Sequence, residues 1–175
     1  MEDREKLIRE KIAEREIIEK MQYRGVKHFV HEILTRNKGF HPEEIQVDPR
    51  FSLSLPACET EVSIDFMISL NGINFMVIQC VSSGIEPWER YIVAFAQAVV
   101  DYQIPYAAIT DGEQAKVFDI INNSSRQSVV EDLFAREAAV DMMKDFQKIP
   151  YPEKNREKAR RIIYAFEGIK CQPNQ

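Results

Sequence analysis

The sequence predicts an α/β domain in which a small mixed β-sheet lies between helices, with helical extensions at both ends of the chain. Two observations carry this prediction. Apolar residues recur at helical intervals near both termini and in the middle of the chain, whereas the segments between them alternate with period two or are continuously apolar. A hairpin signal is followed by a helix and another buried strand, which is the order expected of a mixed sheet covered by helices.

The composition is that of an ordinary globular domain. The 175 residues are 45% apolar and 29% charged, and this length suffices for one domain with a sizeable core. No apolar run reaches the ~20 residues that span a bilayer, and the N-terminus does not resemble a signal peptide. We therefore expect a cytoplasmic protein with no membrane segment. Three cysteines without CxxC spacing indicate neither a disulfide framework nor a zinc site.

Charge is distributed unevenly along the chain. The net charge is -5, but residues 1–38 carry a net +2 and residues 153–170 a net +3, so the remainder carries -10. Binding to nucleic acid requires Lys and Arg side chains that displace counterions from phosphates. Any contact with DNA would therefore depend on the two ends of the chain, and the C-terminal candidates are Arg156, Lys158, Arg160 and Arg161.

The N-terminal third is predicted to be mainly helical. Residues 1–22 form a densely charged helix with apolar residues at helical intervals, and a second helical stretch follows around Gly25. Asn37-Lys38-Gly39 supplies its stop signal. Prolines then separate two short extended segments, residues 45–48 and 51–55.

A β-hairpin is predicted at the centre of the chain. Residues 62–70 alternate between apolar and polar side chains, as a strand with one buried face does. Asn71-Gly72 is a strong two-residue hairpin signal. The second strand, residues 73–81, is apolar on both faces, as expected of a central strand. Asp65 and Gln79 are therefore placed on paired antiparallel strands.

The remaining elements complete the predicted order. A helix is expected from about Pro87 to Gln103, followed by the strand "PYAAIT", a turn at Asp111-Gly112 and the returning strand "AKVFDII". From Ser124 the pattern is interpreted as helical to about Gln147, and a last helix covers residues 153–168. The predicted core is 23–122, and residues 123–175 form a C-terminal helical extension.

The hairpin places oxygen-bearing side chains together. Because side chains two apart on a strand share a face, Gln79 and Val81 point the same way, and Asp65 can reach the same patch. A magnesium site can be built from a carboxylate on the first strand, an acidic group on the second and the carbonyl that follows it. A lysine two positions after that acidic group would orient the attacking water.

These segments resemble a known nuclease core. Asp65, the hairpin and "VIQCVSS" resemble the Asp…(Glu/Gln)-x-Lys motif of the PD-(D/E)xK nucleases, and more narrowly the N-terminal nuclease domain of type I restriction enzyme R subunits. "FAQAVVDY", with Gln97 and Tyr102, and "PYAAITDGEQAKVFDI" extend the similarity over residues 24–121. The resemblance implies a restriction-endonuclease-like fold in which Asp65, Gln79 and the Cys80 carbonyl hold Mg²⁺.

The motif departs from the family pattern at two positions. Gln79 is neutral where the family has an acidic residue, and Val81 replaces the lysine. Arg90 on the following helix is the candidate for a displaced cation. Displaced acidic ligands could come from Glu86, Glu89 or the more distant Glu32. Each residue also has a structural alternative: Asp65 can cap a loop or face solvent, Gln79 can be a core amide, and Gln97 and Tyr102 can serve packing alone.

Three functions stay open at this point. The first is a catalytically degenerate nuclease domain with a binding or assembly role, whose partners would be DNA or other subunits of a restriction-type system. The second is a working Mg²⁺-dependent endonuclease that uses Asp65, Gln79 and Arg90. The third is an interaction protein, such as a homodimer formed through the terminal helices, in which the sheet is a scaffold.

Overall fold

The computed structural model describes residues 2–170 and confirms the predicted α/β class. A six-stranded mixed sheet has the strand order β1-β4-β5-β6-β7-β8, and a separate two-stranded sheet pairs β2 with β3. The strands are β1 (Ile45–Val47), β2 (Arg50–Leu55), β3 (Cys58–Ser63), β4 (Phe66–Leu70), β5 (Ile73–Cys80), β6 (Tyr106–Thr110), β7 (Gln114–Asp119) and β8 (Ser124–Val129).

Within residues 2–170, four α-helices accompany these strands, and two of them form the predicted extensions. Helix α1 (Glu2–Glu32) continues into a π-helical segment, and α2 connects β5 to β6. Helices α3 and α4 follow the last strand. The bounds of these three are α2 (Glu89–Ala98), α3 (Arg136–Met142) and α4 (Glu153–Lys170). Within residues 2–170, no helix combines the length and apolar character required to cross a bilayer.

The β4–β5 hairpin forms where the sequence predicts it. Asn71 and Gly72 both adopt positive φ, 52° and 76°, so that the chain reverses in a tight turn. Phe66 pairs with Ile78 in the resulting antiparallel ladder, which shifts register after Ile68. Strand β6 then pairs with β5 in parallel through the α2 crossover, and the other strand pairs within residues 2–170 are antiparallel.

Helices cover both faces of the large sheet. On one face, α2 packs against β5 and β6, for example through Phe95, and α4, which carries the buried Ile163, packs against α2, β2 and β3. On the other face, the end of α1 packs through Val30 and Leu34, and α3 packs through Ala139. The predicted arrangement, with a mixed sheet between helices, is therefore confirmed.

The predicted helix beginning at Ser124 is wrong, because residues 124–129 form β8. The strand pairs along its length with β7, after a turn in which Asn123 adopts a φ of 51°. Its side chains are mostly exposed and polar, as expected of an edge strand. Backbone pairing with β7 therefore decides its conformation. A short helix, α3, begins only at Arg136.

Three other boundaries differ from the prediction. The two predicted N-terminal helices are one, because α1 runs through Gly25 without interruption. The predicted strand over residues 62–70 divides at Ile64-Asp65, so Asp65 lies just before β4. Helix α2 ends at Ala98, and the chain then reverses so that the Ile104 amide donates to the Ala96 carbonyl (2.9 Å) before β6 begins.

Candidate functional site

A cavity of about 560 Å³ lies where α1 crosses the ends of β3, β4 and β5. Its wall combines the polar residues at the β3–β4 junction, the end of β5 and one side of α1. The lining side chains that matter for its chemistry are Glu19, Lys20, Tyr23, Asp48, Asp65, Gln79, Cys80, Val81 and Trp88. The structure thus brings together Asp65, Gln79 and Cys80, as the sequence predicts.

Asp65 is buried, with 3% of its surface exposed, and its carboxylate is held by donors from two elements. The backbone N–H of Cys80 on β5 donates to Oδ2 at 2.6 Å, and the Tyr23 hydroxyl on α1 donates to Oδ1. Burying a carboxylate is costly unless it is hydrogen-bonded and paired. The break between β3 and β4 places Asp65 where both donors reach it.

Lys27 provides the positive charge at this site. Its Nζ lies 3.7 Å from Asp65 Oδ1, and it also forms an ion pair with Asp48, whose backbone N–H donates to the Asp65 carbonyl at 3.0 Å. Only 18% of the Lys27 side chain is exposed. Asp48 adopts a φ of 50°, in the left-handed region that turns favour. Lys27 therefore sits between two carboxylates that come from separate segments.

Lys27, Tyr23 and Asp48 were not predicted as site residues. Tyr23 and Lys27 are four residues apart on a helix and consequently share one face. That spacing is the only local signal, and it could not indicate which part of the sheet the face contacts. The contacts of Tyr23 and Lys27 with Asp65 and Asp48 link residues far apart in the chain, so the sequence pattern of the hairpin could not predict them.

Burial also fixes the protonation of two neighbours of Asp65. Burial, together with the nearby Asp65 carboxylate, raises the pKa of the Tyr23 hydroxyl far above its ordinary value of 10.0. Burial likewise raises the pKa of the Cys80 thiol well above 9.0, and Asp65 adds to this shift. Both groups remain protonated at neutral pH, so Tyr23 acts as a hydrogen-bond donor to Asp65.

Gln79 contributes a polar group that is only partly satisfied. The residue is 7% exposed, and its Nε2 donates to the Cys80 carbonyl at 3.2 Å. Its Oε1 is buried and makes no hydrogen bond within the described part of the chain. A buried acceptor without a donor is unfavourable. The amide thus occupies the position of the expected acidic residue without supplying its charge.

Val81 occupies the position expected for the lysine and belongs to the apolar core. It is 6% exposed and clusters with residues such as Val77 and Tyr91. Its backbone N–H donates to the Thr110 carbonyl at 2.9 Å, which extends the parallel pairing of β5 and β6. A lysine ammonium at this position would have to be accommodated beside packed apolar side chains.

The other predicted site residues lie outside the cavity. Arg90 and Gln97 line a different, shallow groove on the exposed side of α2. Glu89 makes two 2.9 Å contacts with Lys116, and Glu32 pairs with Arg36 at 2.7 Å. Tyr102 is 5% exposed, and its hydroxyl accepts a hydrogen bond from the Asn74 N–H at 2.9 Å.

The four basic candidates on α4 are largely engaged within the protein. Arg156 donates to the Val100 carbonyl at 2.7 Å, which connects α4 to the segment after α2. Arg160 pairs with Glu153 at 3.1 Å and Arg161 with Glu157 at 2.6 Å. Lys158 is exposed. These contacts reduce the positive charge that α4 can offer to a phosphate backbone.

The residues of the cavity do not suit Mg²⁺. This ion requires several hard oxygen ligands, usually including carboxylates. Both Asp65 oxygens already accept hydrogen bonds, Asp48 is paired with Lys27, and Gln79 is neutral. Within residues 2–170, no group of three or more His, Cys, Asp and Glu side chains is placed to hold a metal ion.

Comparison with known proteins identifies the family. No curated protein and no solved structure matches the chain. A family model described as "Type I restriction enzyme R protein N terminus (HSDR_N)" matches residues 22–133. The matched region includes all eight strands, α2 and the part of α1 that carries Tyr23 and Lys27. Because the match covers more than half of the 175 residues, the chain belongs to the family of type I restriction enzyme R protein N-terminal domains.

Proposed function

We propose that this domain is a catalytically degenerate relative of the R-subunit nuclease domain, which acts by binding or assembly in a nucleic-acid-related process. The observation that carries the proposal is the state of Asp65. Its carboxylate is bound by Tyr23, Cys80 and Lys27, all from within the chain. The residue that would hold a metal is thereby converted into a structural link between α1 and the sheet.

Two further features support the loss of catalysis. The lysine position holds the buried Val81, and the second acidic position holds the neutral Gln79. A catalytic site stabilises charge that develops in the transition state, and it requires preorganised groups for that purpose. Here Lys27 is already paired with two carboxylates, so its charge is largely neutralised in the resting protein.

The partners follow from the family and from the charges. Other subunits of a restriction-type system are the first candidates, because the family is described as the N-terminal part of an R protein. DNA is the second candidate, and it would be contacted through the basic ends of the chain, including Lys158 and Arg161. The central residues carry a net -10, which favours a protein partner over a phosphate backbone.

A second candidate function is Mg²⁺-dependent DNA cleavage with a displaced lysine. The observation that favours it is the 3.7 Å distance between Lys27 Nζ and Asp65 Oδ1. Lys27 would then take the place that the sequence suggested for Arg90. This candidate requires that the Lys27–Asp48 pair and the Tyr23–Asp65 hydrogen bond give way to the metal.

Cleavage of plasmid and single-stranded DNA with Mg²⁺ or Mn²⁺ distinguishes the two functions. The degenerate domain is expected to leave both substrates intact. Metal-dependent cutting that is lost in both Asp65→Asn and Lys27→Gln, with folding verified by circular dichroism, would overturn the proposal and establish the second candidate. Lys20→Gln is the matched control, because Lys20 lines the same cavity and makes no ion pair within residues 2–170.

Fluorescence anisotropy with a labelled DNA duplex tests separately whether DNA is a partner. If DNA is the partner, Lys158→Glu with Arg161→Glu should weaken binding at least tenfold, and affinity should fall steeply with added salt. Unchanged affinity in this variant would exclude α4 as the DNA-contacting element.

A further inference from the structure

The first two-thirds of α1 carry an exposed apolar surface. Large aliphatic side chains between residues 7 and 21 are from 48% to 67% exposed, whereas the residues of α1 that pack on the core begin at Tyr23. These exposed side chains are Leu7, Ile8, Ile12, Ile17, Ile18 and Met21. In proteins, most of the stability of a helix comes from packing of its apolar face against another element.

A continuous line of residues runs along one side of this segment. Its members alternate in spacing between three and four residues, which is the repeat of a two-helix seam. The same side includes a shallow groove between Ile8 and Ile18 that contains Lys11 and Glu14. The six residues of the seam are Arg4, Leu7, Lys11, Glu14, Ile18 and Met21.

The seam is complementary to itself when a second copy runs antiparallel. The two-fold axis would lie level with the midpoint between Ile12 and Ala13. Each seam residue then faces the seam residue of the second copy that is equally far from this midpoint in the opposite direction along the helix. Aliphatic residues then face aliphatic residues, opposite charges face each other, and the aliphatic part of an arginine covers a methionine. The facing pairs are Leu7 with Ile18, Lys11 with Glu14, and Arg4 with Met21.

Other arrangements of two copies lose this match. In a parallel pair in register, Lys11 would face Lys11 and Glu14 would face Glu14, so like charges would repel at the centre of the seam. An antiparallel pair displaced by one heptad would place Lys11 against Leu7 or Met21 of the second copy. Only the antiparallel register centred between Ile12 and Ala13 satisfies every position of the seam.

We propose that residues 4–21 of α1 pair antiparallel with the same segment of a second copy of this chain. The paired segment would be about 27 Å long, and the globular bodies would lie at its opposite ends, since each body begins near Tyr23. This pairing does not depend on whether the cavity cleaves DNA, so neither result of the cleavage experiment affects it.

Sedimentation equilibrium and light scattering on the full chain test the pairing. The wild-type protein is expected to have twice the 20.4 kDa mass of one chain at micromolar concentration. Lys11→Glu places like charges at both central levels, and Glu14→Lys does the same with the opposite sign. Each single variant is expected to dissociate at least tenfold more readily. The double variant, Lys11→Glu with Glu14→Lys, restores opposite charges in the antiparallel register and should dimerise like the wild type.

Mixing separates pairing between chains from effects within one helix. Equal amounts of the two single variants should form a heterodimer, because each supplies the charge that the other lacks. Loss of an intrahelical contact between positions 11 and 14 could not be repaired by mixing. Lys6→Glu is the matched control, because Lys6 lies off the seam, and its dimer should persist.

Two results would overturn the proposal. The first is a wild-type protein that remains monomeric throughout the tens-of-micromolar range while circular dichroism shows an intact helix. The second is a failure of the charge exchange between positions 11 and 14. It would be seen as single variants that dimerise as well as the wild type, or as a double variant that stays dissociated. The double variant also settles orientation, since a parallel pair would retain like charges at both of its substituted positions.

Discussion

Lys27 on α1 holds its Nζ 3.7 Å from Oδ1 of Asp65, at the junction that precedes β4. The lysine that the resemblance to the nucleases leads us to expect just after β5 is replaced by Val81, yet a lysine from another element lies beside Asp65. The same ammonium group also pairs with Asp48. Lys27 therefore joins the end of α1 to two segments of the sheet region, and its first measurable effect should be on stability.

Replacing Lys27 with methionine should destabilise the protein. The substitution keeps the aliphatic stem and leaves the buried Asp65 without its cation, so we expect a loss of about 2 kcal/mol in the free energy of unfolding. Urea denaturation followed by circular dichroism measures this loss. Lys20→Met is the control, because Lys20 is exposed at the same cavity, and its substitution should change stability by less than about 0.5 kcal/mol. Equal losses in the two variants would contradict a structural role for the Lys27–Asp65 pair.

Restoring the two missing charges should restore metal-dependent chemistry if the scaffold is that of a nuclease. Gln79→Glu combined with Val81→Lys recreates the acidic residue and the lysine beside Asp65. We expect Mn²⁺-dependent nicking of plasmid DNA at least tenfold above the wild-type background, abolished by EDTA. Adding Asp65→Ala to this variant should remove the activity. A folded double variant without any nicking would indicate that the geometry of the cavity, and not its charge alone, has changed.

The stability of the Gln79 and Val81 variants must be measured beside their nicking activity. Val81 is 6% exposed and packed against apolar side chains, so Val81→Lys alone should cost about 2 kcal/mol or more. Gln79→Glu supplies a nearby negative charge that offsets part of this cost. The double variant should therefore be more stable than Val81→Lys alone, and urea midpoints for the three proteins measure the coupling.

The elements best predicted from the sequence are those with strong local signals. Asn71-Gly72 determines the β4–β5 hairpin, and the periodic helix after Ser83 with the apolar strand that follows it indicates the parallel crossover. The proximity of Asp65 to Gln79 followed from that hairpin alone. Where local pattern and tertiary pairing differ, the pattern fails. Strand β8 has polar, exposed side chains, so only its backbone pairing with β7 defines it.

Helix α1 and the cavity show what the local sequence pattern could not predict. Glycine inside a helix costs about 1 kcal/mol relative to alanine, which favoured a boundary at Gly25. Packing of Val30 and Leu34 on the sheet outweighs that cost, and the helix continues. Tyr23 and Lys27 reach Asp65 because of this continuation. Contacts between residues so far apart depend on how α1 crosses the sheet, which no local spacing encodes.

The Cys80 thiol should be unreactive in the folded protein. It is 1% exposed, and burial together with the nearby Asp65 raises its pKa well above 9.0. Because the thiolate is the reactive species, an aromatic disulfide reagent should modify Cys80 at least a hundredfold more slowly than the partly exposed Cys58. In a Cys171→Ser background, one thiol should react in native protein and two in denaturant. Raising the pH from neutral to 9 should not release the second thiol, and a rapid second reaction in native protein would contradict its burial.

The ion pair between Glu44 and Arg136 should make stability depend on pH. Arg136 on α3 donates to the Glu44 carboxylate through Nε at 2.8 Å and Nη2 at 2.7 Å, which connects α3 to the turn before β1. This hydrogen bonding lowers the pKa of Glu44 below its ordinary value of 4.5. A carboxyl group with a lowered pKa in the folded state stabilises the protein above the unfolded pKa, and that contribution is lost as the pH falls through the folded value.

Glu44→Gln removes this titration and provides the test. The variant should be less stable than the wild type at pH 7, and the difference between their urea midpoints should be constant down to about pH 5. Below pH 4.5 the difference should shrink steadily, because Glu44 of the wild type becomes protonated and its advantage over glutamine disappears. Glu137→Gln on the exposed side of α3 is the control and should follow the wild type throughout. A wild-type advantage over Glu44→Gln that persists unchanged to pH 3 would mean that the carboxylate is held by packing and not by its charge.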